Sequence, residues 1–359
     1  MSREYKLLIM GKKVVVIGGG ITGMEASVQL SALGYSVTVL EKESQLGGHL
    51  NDWTVLFPNL RKGNEIVSFL EHGLELQEVN VIYNSKISGI KKINKHYEIV
   101  LDNQKQIIAD AILVATGFDL FDAHRKEEFG YGIYENVITS YDLEKIFAEK
   151  GEIKTPSGIN PKRIGFIHCV GSRDEKVNNH YCSNVCCVTG VKQAMELKTL
   201  IPDAEIFNFY MDMRMFDTHF EELYLESQKK YGINFIRGRL SEANETIDKR
   251  IILKVEDTLT SRPLKMTVDL LVLLVGMEPS KGTKEIAKLL NLKMRESGFL
   301  KPEDDHTLSN VSNMPGVFFA GTCSGPMSIK YTFTDARAAV TKINCYLKEY
   351  ELQHRILLN

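Results

Sequence analysis

Apolar runs and helical spacing alternate over the first forty residues of the chain. The continuous apolar run 14–17 is typical of a strand buried in a parallel sheet, and Gly18–Gly20 interrupt it with a turn. Apolar and small residues then recur at helical spacing over 22–33. A second apolar run, 36–40, follows and ends at Glu41. The pattern predicts a βαβ unit of about thirty residues.

The next patterned stretch is HYEIVLDNQKQIIADAILVATG, residues 96–117. It predicts two strands joined by a turn at Asp102-Asn103, and then a short buried strand over 111–115. Polar residues with two glycines and two prolines follow in EKGEIKTPSGINPKR, residues 149–163. This composition predicts a linker.

A second α/β pattern begins after the linker. The segments it predicts are strands over 163–168, 204–211, 233–240, 250–257 and 269–276, and helices over 188–200 and 220–230. The C-terminal segment, from Pro315, predicts a strand, a glycine-rich turn and a helix. The alternation of strands and helices indicates an α/β protein.

Composition and charge exclude several classes of function. The chain has 359 residues, 43% of them hydrophobic and 25% charged, which is typical of soluble globular proteins with more than one domain. A net charge of −2 offers no basic surface for nucleic acid or membrane. The longest apolar run, 270–276, is too short to span a bilayer, and the N-terminus lacks the apolar core of a signal peptide. We therefore expect a cytoplasmic protein.

The glycine motif Gly18-x-Gly20-x-x-Gly23 follows a predicted strand and opens a predicted helix. In that context the first glycine permits a tight turn, the second admits a pyrophosphate, and the third allows close helix packing. Glu41, at the end of the next strand, is placed to accept hydrogen bonds from ribose hydroxyls. The alternative interpretation of Glu41 is a solvated charge at a strand end.

Both FAD and NAD bind this motif, so other segments must show which of the two cofactors this chain binds. The segments EKESQLGGHL, ILVATG and GVFFAGTCSGP resemble the two-dinucleotide-binding-domain flavoproteins, which favours FAD. In those proteins an acid usually follows the glycine of the last segment, where this chain has Thr322. An inserted domain that binds NAD(P)H would carry its own glycine-rich turn, but RIGFIHCVGSRDEK keeps only Gly171 there. The sequence therefore predicts that the nicotinamide site is lost.

Four of the six cysteines form the pattern C-x12-C-x3-C-C, at Cys169, Cys182, Cys186 and Cys187. In a reducing compartment such a group indicates metal or redox chemistry, and four thiolates are the usual ligands of a [4Fe–4S] cluster. Zinc, a Cys186-Cys187 disulfide and buried inert thiols are the alternatives. The amides at the start of the predicted helix 188–200 favour a negatively charged cluster. Arg173, Lys176 and Lys192 could add positive charge beside such a cluster, but for each the preferred interpretation is a solvated surface charge.

At this point the sequence resembles the A-type subunit of heterodisulfide reductase and its shorter relatives. The matching segments are HCVGSRDEKVNNHYCSNVCCVTGVKQAMELK, YMDMRMFDTHFEELYLESQKKYGINFIRGR, GFLKPEDDHT and VFFAGTCSGPMSI. The resemblance implies a thioredoxin-reductase-like, two-dinucleotide-binding-domain flavoprotein with a degenerate inserted α/β domain. It assigns residues 1–150 and 276–359 to a discontinuous FAD-binding domain, and residues 160–275 to the inserted domain.

The resemblance also implies two cofactors and their binding residues. The inserted domain would hold a [4Fe–4S] cluster on Cys169, Cys182, Cys186 and Cys187. The residues it assigns to FAD are Gly18, Gly20, Gly23, Glu41, Lys42, Gly48, His49, Ile87, Ala115, Thr116, Gly117, Gly321, Thr322, Met327, Ser328 and Ile329. It assigns no catalytic residue.

The resemblance implies a function as well. Ferredoxin-type cysteine motifs of the full-length subunits are absent, so this chain is similar to the compact form in the heterodisulfide-reductase-like complexes of sulfur oxidisers or in the quinone-interacting oxidoreductase of sulfate reducers. We expect an electron-transfer subunit in sulfur metabolism that works with iron–sulfur partner subunits and forms a homodimer. The alternatives are a stand-alone NAD(P)H-dependent disulfide reductase using Cys186-Cys187, and a scaffold without catalysis.

Overall fold

The computed structural model describes residues 11–149 and 151–358, with side chains described as far as residue 349. Residue 150, in the predicted linker, lies outside the described residues. The chain divides into two compact units. The first consists of the described parts of Met1–Asn51, Asn64–Asp119 and Glu278–Asn359, and the second of Asp52–Gly63 and Leu120–Met277.

The strands and helices of the described residues are numbered in chain order. The strands are β1 Lys13–Ile17, β2 Ser36–Leu40, β3 Val55–Leu56, β4 Arg61–Lys62, β5 Asn80–Ile82, β6 Ile87–Ile93, β7 His96–Leu101, β8 Gln106–Ala109, β9 Ala111–Val114, β10 Phe118–Leu120, β11 Val137–Thr139, β12 Arg163–Val170, β13 Glu205–Tyr210, β14 Asn234–Glu245, β15 Ile251–Asp257, β16 Arg262–Val268, β17 Leu270–Val275, β18 Met277–Pro279 and β19 Val317–Phe319. The α-helices are α1 Ile21–Ala32, α2 Gly63–Leu76, α3 Ser140–Ala148, α4 Cys186–Leu200, α5 Phe220–Lys229, α6 Lys281–Leu290 and α7 Ile329–Leu358. Short 3-10 helices cover Gly48–Asp52, Ala123–Arg125, Glu127–Phe129, Glu175–Val177 and Gly321–Cys323.

The first unit is built on a five-stranded parallel sheet with the order β19-β9-β1-β2-β5. The central strand β1 is apolar and buried on both faces, as its sequence predicts. A three-stranded antiparallel sheet, β6-β7-β8, belongs to the same unit. Its inward side chains, among them Tyr97 and Ile99, share one apolar core with Val15 and Phe319 of the parallel sheet.

The second unit is built on a seven-stranded sheet with the order β11-β17-β12-β13-β14-β15-β16. The pairs from β11 to β14 are parallel, and β14, β15 and β16 form an antiparallel meander. All six residues of β17 are buried, which explains the uninterrupted apolar run LLVLLV.

The structure confirms the predicted fold class and most predicted elements. β1 and β2 pair in parallel, with Val14 opposite Val37, around the intervening α1. α4 begins at Cys186, two residues before its predicted start, so Cys186 and Cys187 lie in its first turn. The sequence interpretation gave no helix over 63–76, 140–148 or 281–290. No described helix has the length and apolar character needed to cross a membrane.

The two compact units differ from the predicted domains in where they divide the chain. Residues 52–63 and 120–159 belong with the second unit. The physical reason for the second segment is pairing: β11 adds to the edge of the seven-stranded sheet, with Val137 opposite Leu271. The division into an FAD-binding and a cluster-binding domain stays a prediction.

A buried network of charges joins α3 to α4 in the second unit. Lys192 is fully buried, and its Nζ lies 2.5 Å from Glu144 Oε1 and 2.9 Å from Glu196 Oε2. Glu144 Oε2 also accepts a 2.8 Å hydrogen bond from the Thr54 hydroxyl. The interpretation of Lys192 as a solvated charge is therefore wrong. The ammonium is tolerated in the interior because two carboxylates surround it.

Glu196 makes this network sensitive to pH. Burial raises the pKa of its carboxyl from 4.5 to about 7, against the opposing charge of Lys192. Between pH 4.5 and 7 the folded chain keeps a proton that the unfolded chain has lost. Stability from this group is therefore fully present below pH 4.5 and is lost as the pH rises through 7.

We predict that Glu196→Gln gains stability relative to wild type as the pH rises. Between pH 4.5 and pH 8, the difference in their free energies of unfolding should change by about 3 kcal/mol in favour of the variant. Trp53, the only tryptophan of the sequence, lies in the same unit with Lys192 Nζ 5.8 Å from its ring centroid. Its fluorescence during denaturant unfolding measures the change. Glu222→Gln, on an exposed position of α5, is the control. Parallel pH profiles for Glu196→Gln and wild type would contradict the prediction.

Candidate functional site

The glycine-rich turn between β1 and α1 is as tight as its sequence predicts. Gly18 has φ +110°, and a Cβ there would lie 2.4 Å from the Ala115 carbonyl oxygen. A Cβ on Gly23 would lie 1.9 Å from the Gly18 carbonyl oxygen. Gly20 differs, because a Cβ there would meet no atom within 4 Å. Two of the three glycines are therefore required by packing, and Gly20 borders open space at the start of α1.

Glu41 lies at the end of β2, beside the glycine-rich turn, and is 6% exposed. Its Oε2 accepts a 2.6 Å hydrogen bond from the Gly19 amide, and its Oε1 accepts one of 2.8 Å from the Glu43 amide. Glu41 is therefore a fixed, buried carboxylate, and the alternative of a solvated charge is wrong. Each oxygen keeps a second lone pair for a ligand hydroxyl.

Two predicted segments that are far apart in sequence meet next to this turn. β9 and β19 pair in parallel, with Val114 opposite Phe319, so the residues that follow them share one edge. Gly117 has φ +71°, and a Cβ on it would lie 4.0 Å from Thr322 Oγ1. Thr116 Oγ1 lies 2.7 Å from Thr283 Oγ1 at the start of α6, which holds this segment in place.

Asp335 is a carboxylate that the sequence interpretation missed. It projects from α7 and accepts hydrogen bonds from the Gly321 amide, at 2.7 Å, and from Asn310 Nδ2, at 2.8 Å. Burial raises the pKa of its carboxyl. Thr322 stands where an acid is usual in the flavoproteins that the sequence resembles, and the carboxylate found at this turn comes from α7. Only the substitution at Thr322 could have prompted a search for it in the sequence.

The other residues predicted for the dinucleotide occupy varied positions in the first unit. His49 stacks on Phe118 at 4.4 Å, and its Nε2 lies 2.8 Å from the Phe118 carbonyl oxygen. Lys42 is exposed and pairs with Glu43 at 3.5 Å. Ile87 begins β6. Met327 and Ser328 lie just before α7, and Ile329 is its first residue. Gly48 begins the 3-10 helix Gly48–Asp52.

The site fits a dinucleotide. α1 has Gly20 at its N-cap with no side-chain cap, so its first amides are available to an anion. The open space beside Gly20 leaves room for a pyrophosphate to approach. Ser328 Oγ is buried and has no hydrogen-bond partner in the described part of the chain, as expected where a polar ligand supplies it.

The four predicted cysteine ligands all lie in the second unit. Cys169, at the end of β12, has its Sγ 3.9 Å from that of Cys186 in the first turn of α4. Cys187 Sγ lies 3.9 Å from the Asp212 carbonyl oxygen. Cys182, on the loop between β12 and α4, accepts a 3.3 Å contact from the Asn184 amide. Cys169, Cys186 and Cys187 are buried, and Cys182 is partly exposed.

The thiols influence one another strongly. The hydrogen bond with Cys186 lowers the pKa of Cys169 to about 7, helped by the charges of His168 and Arg173. The same partner and His168 lower the pKa of Cys187 to about 4. The bonds to both neighbours, together with burial, raise the pKa of Cys186, while burial raises the pKa of Cys182. Two of the four thiols therefore favour the thiolate, the form that ligates metals and attacks disulfides.

The sulfurs are not arranged around a common centre. Within the described ranges, no group of three or more His, Cys, Asp or Glu side chains has the geometry to hold a metal ion. The two cysteines outside the motif are separate from this group. Cys323 is buried in the first unit, where its Sγ donates to the Ala320 carbonyl oxygen at 3.1 Å and burial raises its pKa to about 12. Cys345 is exposed on α7.

Arg173 and Lys176 differ, although the sequence suggests the same role for both. Lys176 is exposed and pairs with Glu128 at 3.3 Å, as predicted for a surface charge. The Arg173 side chain is only 19% exposed and forms a two-pronged ion pair with Asp212. The interpretation of Arg173 as a solvated charge is therefore wrong. Its partner, Asp212, follows β13, so the pairing depends on the fold and is not visible in the local sequence.

Known proteins resemble this chain in sequence over most of its length. The family described as pyridine nucleotide-disulphide oxidoreductase matches residues 2–133 and 187–341. The unmatched segment between these ranges carries Cys169, Cys182 and Cys186. The chain is 28% identical to the iron-sulfur A-type subunit of the CoB--CoM heterodisulfide reductase of Methanocaldococcus jannaschii, over 94% of this chain and 65% of that protein. It is 31% identical to the A-type subunit of the H(2):CoB-CoM heterodisulfide,ferredoxin reductase of Methanothermobacter thermautotrophicus, over 94% of this chain and 64% of that protein.

A solved structure shares the fold. Thioredoxin reductase from Lactococcus lactis superimposes with a TM-score of 0.66 at 20% identity, covering 94% of this chain and 99% of that one. At this identity the likeness concerns the fold alone. The chain spans just under two thirds of the length of the two curated relatives that it matches.

The glycine geometry gives a paired prediction. Gly20→Ala places its methyl group in open space, so the free energy of unfolding should change by less than about 0.5 kcal/mol. FAD binding should weaken at least tenfold, because the methyl group occupies the approach to the helix amides. Gly23→Ala meets backbone, and should cost about 1–3 kcal/mol of stability. Thermal unfolding of the apoprotein and titration with FAD measure both effects; wild-type affinity in Gly20→Ala would count against this site.

Proposed function

Because the chain belongs to the pyridine nucleotide-disulphide oxidoreductase family, we propose that it is an FAD- and [4Fe–4S]-containing electron-transfer subunit of a heterodisulfide-reductase-like complex. The chain is an oxidoreductase with a thioredoxin-reductase-like fold. The observation that carries the proposal lies in the second unit. Cys169, near the end of β12, lies 3.9 Å from Cys186 at the start of α4, and Cys182 and Cys187 belong to the same loop and helix turn. A second dinucleotide-binding domain would have its glycine-rich turn at this place.

Three features support the exchange of a nicotinamide site for a sulfur site. Gly171, the one glycine in the turn after β12, would place a Cβ 2.0 Å from the Phe121 ring, so an apolar side chain occupies that position. β12 ends at Val170 and α4 begins only at Cys186, so no short turn leads into a helix N-terminus. The family match resumes at residue 187, after the segment with three of the four cysteines.

The donor set fits an iron–sulfur cluster in its chemistry. Four cysteine thiolates are the usual ligands of a [4Fe–4S] cluster. Three of the four are buried, and the lowered pKa values of Cys169 and Cys187 favour the ligating form. Cys186 and Cys187 lie in the first turn of α4, where the helix dipole favours negative charge. The name of the M. jannaschii relative, which describes an iron-sulfur subunit, supports the same assignment.

When bound, FAD exchanges electrons in pairs or singly, whereas a [4Fe–4S] cluster carries one electron at a time. The residues of the first unit would bind and orient the dinucleotide. The amides after Gly20 would face its pyrophosphate and Glu41 its ribose hydroxyls, while Asp335 holds the Gly321 turn. Cys169, Cys182, Cys186 and Cys187 would hold the cluster. The chain would thus connect two-electron chemistry with one-electron partners.

The wider context is proposed on the strength of the relatives. Both curated relatives are named as subunits of heterodisulfide reductases, so we infer iron–sulfur partner subunits and a role in sulfur metabolism. The compact form of the protein, its assembly as a homodimer and a cytoplasmic location belong to the same proposal. A stand-alone NAD(P)H-dependent disulfide reductase using Cys186-Cys187 is disfavoured, because the turn after β12 keeps only Gly171, and the Phe121 ring lies against it.

We predict that the protein purified without oxygen carries flavin absorption and about four irons with acid-labile sulfide per chain. Cys186→Ser should lose the iron and keep the FAD, because Cys186 and the dinucleotide residues belong to different compact units. Iron and sulfide assays with the visible spectrum measure both.

Cys345→Ser is the matched control, because Cys345 is exposed and lies outside the cysteine motif. It should retain both cofactors. A full iron complement in Cys186→Ser would refute the ligand assignment. Flavin without iron in the wild type, bleached by NADPH, would support the disulfide reductase instead.

A further inference from the structure

A sulfur–sulfur contact joins a strand and a helix of the second unit. The Sγ atoms of Cys169, near the end of β12, and Cys186, in the first turn of α4, lie 3.9 Å apart. Both side chains are buried. Cys187, the neighbour of Cys186, instead has its Sγ 3.9 Å from the Asp212 carbonyl oxygen. The fold therefore singles out Cys169 and Cys186 as a pair of thiols.

β12 departs from regular strand geometry to make this contact. Phe166 faces the apolar core that contains Cys186. Since side chains alternate along a strand, regular pairing would turn Cys169 to the opposite face of the sheet. The pairing of β12 with β17 is irregular between Ile167 and Val170, however, and Cys169 has φ +60°. Cys169 consequently packs in the same core as Cys186. Left-handed backbone of this kind is strained in residues other than glycine and is characteristic of functional sites.

The two sulfurs are close enough to form a covalent bond. A disulfide has an S–S distance of about 2.05 Å, so the sulfurs of Cys169 and Cys186 must approach each other by about 1.9 Å. Rotation of the two side chains about their Cα–Cβ bonds supplies a movement of this size. Cys186 and Cys187 are poor partners by comparison, because consecutive side chains of an α-helix point about 100° apart around its axis.

A small oxidant can reach Cys169. This residue lines a small cavity of the second unit together with Asp174 and Arg239. The cavity has room for about one water molecule, which is close to the size of hydrogen peroxide. The Arg239 side chain is 53% exposed, so the cavity lies beside solvent. The site therefore favours a peroxide over a bulky disulfide as its oxidant.

We propose that Cys169 and Cys186 form an oxidisable dithiol, which hydrogen peroxide converts to a disulfide when no metal or cluster occupies the cysteines. The Cys169 thiolate attacks one peroxide oxygen, the O–O bond breaks, and the departing hydroxide takes up a proton and leaves as water. The Cys186 thiol then attacks the sulfur of the resulting sulfenic acid, the S–O bond breaks, and a second water leaves. Two thiols thus lose two electrons and two protons, and one peroxide gains them.

The inference goes beyond the proposed function, because it concerns the chain without a cluster. Cys169 and Cys186 are also two of the four proposed cluster ligands. The disulfide and a cluster on these residues therefore exclude one another. A dithiol reductant would restore both thiols, which makes the oxidation reversible.

The test uses the full-length chain, freed of iron with EDTA and ferricyanide and then fully reduced with a phosphine. After treatment with hydrogen peroxide it is digested with trypsin without further reduction. Trypsin cleaves after arginine and lysine, so Cys169 falls on peptide 164–173 and Cys186 on peptide 177–192. Mass spectrometry should find these two peptides joined by a disulfide in most of the protein.

Variants identify the partner on the second peptide, which also carries Cys182 and Cys187. Cys186→Ser should reduce the yield of joined peptides at least tenfold, because it removes the sulfur that contacts Cys169. Cys182→Ser and Cys187→Ser are the matched controls and should change the yield less than twofold. An undiminished yield in Cys186→Ser, or a lost yield in either control, would overturn the pair. So would wild type with no disulfide, or with one confined to peptide 177–192.

Iron and sulfide in the protein as purified test the proposed function separately. A protein without iron that forms the Cys169–Cys186 disulfide would refute the proposed function and support this inference. A protein with about four irons per chain, whose iron-free form gives no such disulfide, would do the reverse.

Discussion

The carboxyl edge of a parallel sheet is the constraint on which the dinucleotide site depends. β1, β2, β9 and β19 run in one direction and pair so that Ile17 lies opposite both Leu40 and Val114, and Val114 opposite Phe319. The turns that follow these strands must therefore meet at one edge, as is general for open α/β sheets. This is how Glu41 and Gly321, which are far apart in sequence, come to border the same glycine-rich turn.

The same rule operates in the second unit with different chemistry. β12 and β13 are parallel neighbours, so Cys169 and Asp212 lie at the same edge of the seven-stranded sheet. α4 returns to that edge and adds Cys186 in its first turn. The loop between β12 and α4 is long, and its turn is filled by the Phe121 ring against Gly171. The edge of the seven-stranded sheet at which a second dinucleotide would bind therefore carries cysteine side chains instead.

Helix α4 links the sulfur site to the stability of the second unit. It carries Cys186 and Cys187 at one end and the buried Lys192 further along. Lys192 is held by Glu144 of α3 and by Glu196 of its own helix, and the fully buried Lys192–Glu144 pair fixes α4 against α3. Buried ion pairs of this kind add little net stability, because the cost of desolvating the charges offsets their attraction. Their effect here is to fix the orientation of the helix that presents two of the thiols.

By itself the sequence determined the elements whose information is local. The apolar run before Gly18, the glycine spacing, the strand ending at Glu41 and the cysteine spacing predicted the fold class and the candidate residues. Tertiary structure alone decided which distant groups complete the sites: Asp335 at Gly321, Asp212 at Arg173, and Glu144 at Lys192. The physical reason is that burial and pairing of a charge depend on side chains brought together by sheet register and helix packing. Lys192 and Arg173 look like surface charges in sequence because Glu144 and Asp212, the carboxylates that pair with them in the fold, are distant along the chain.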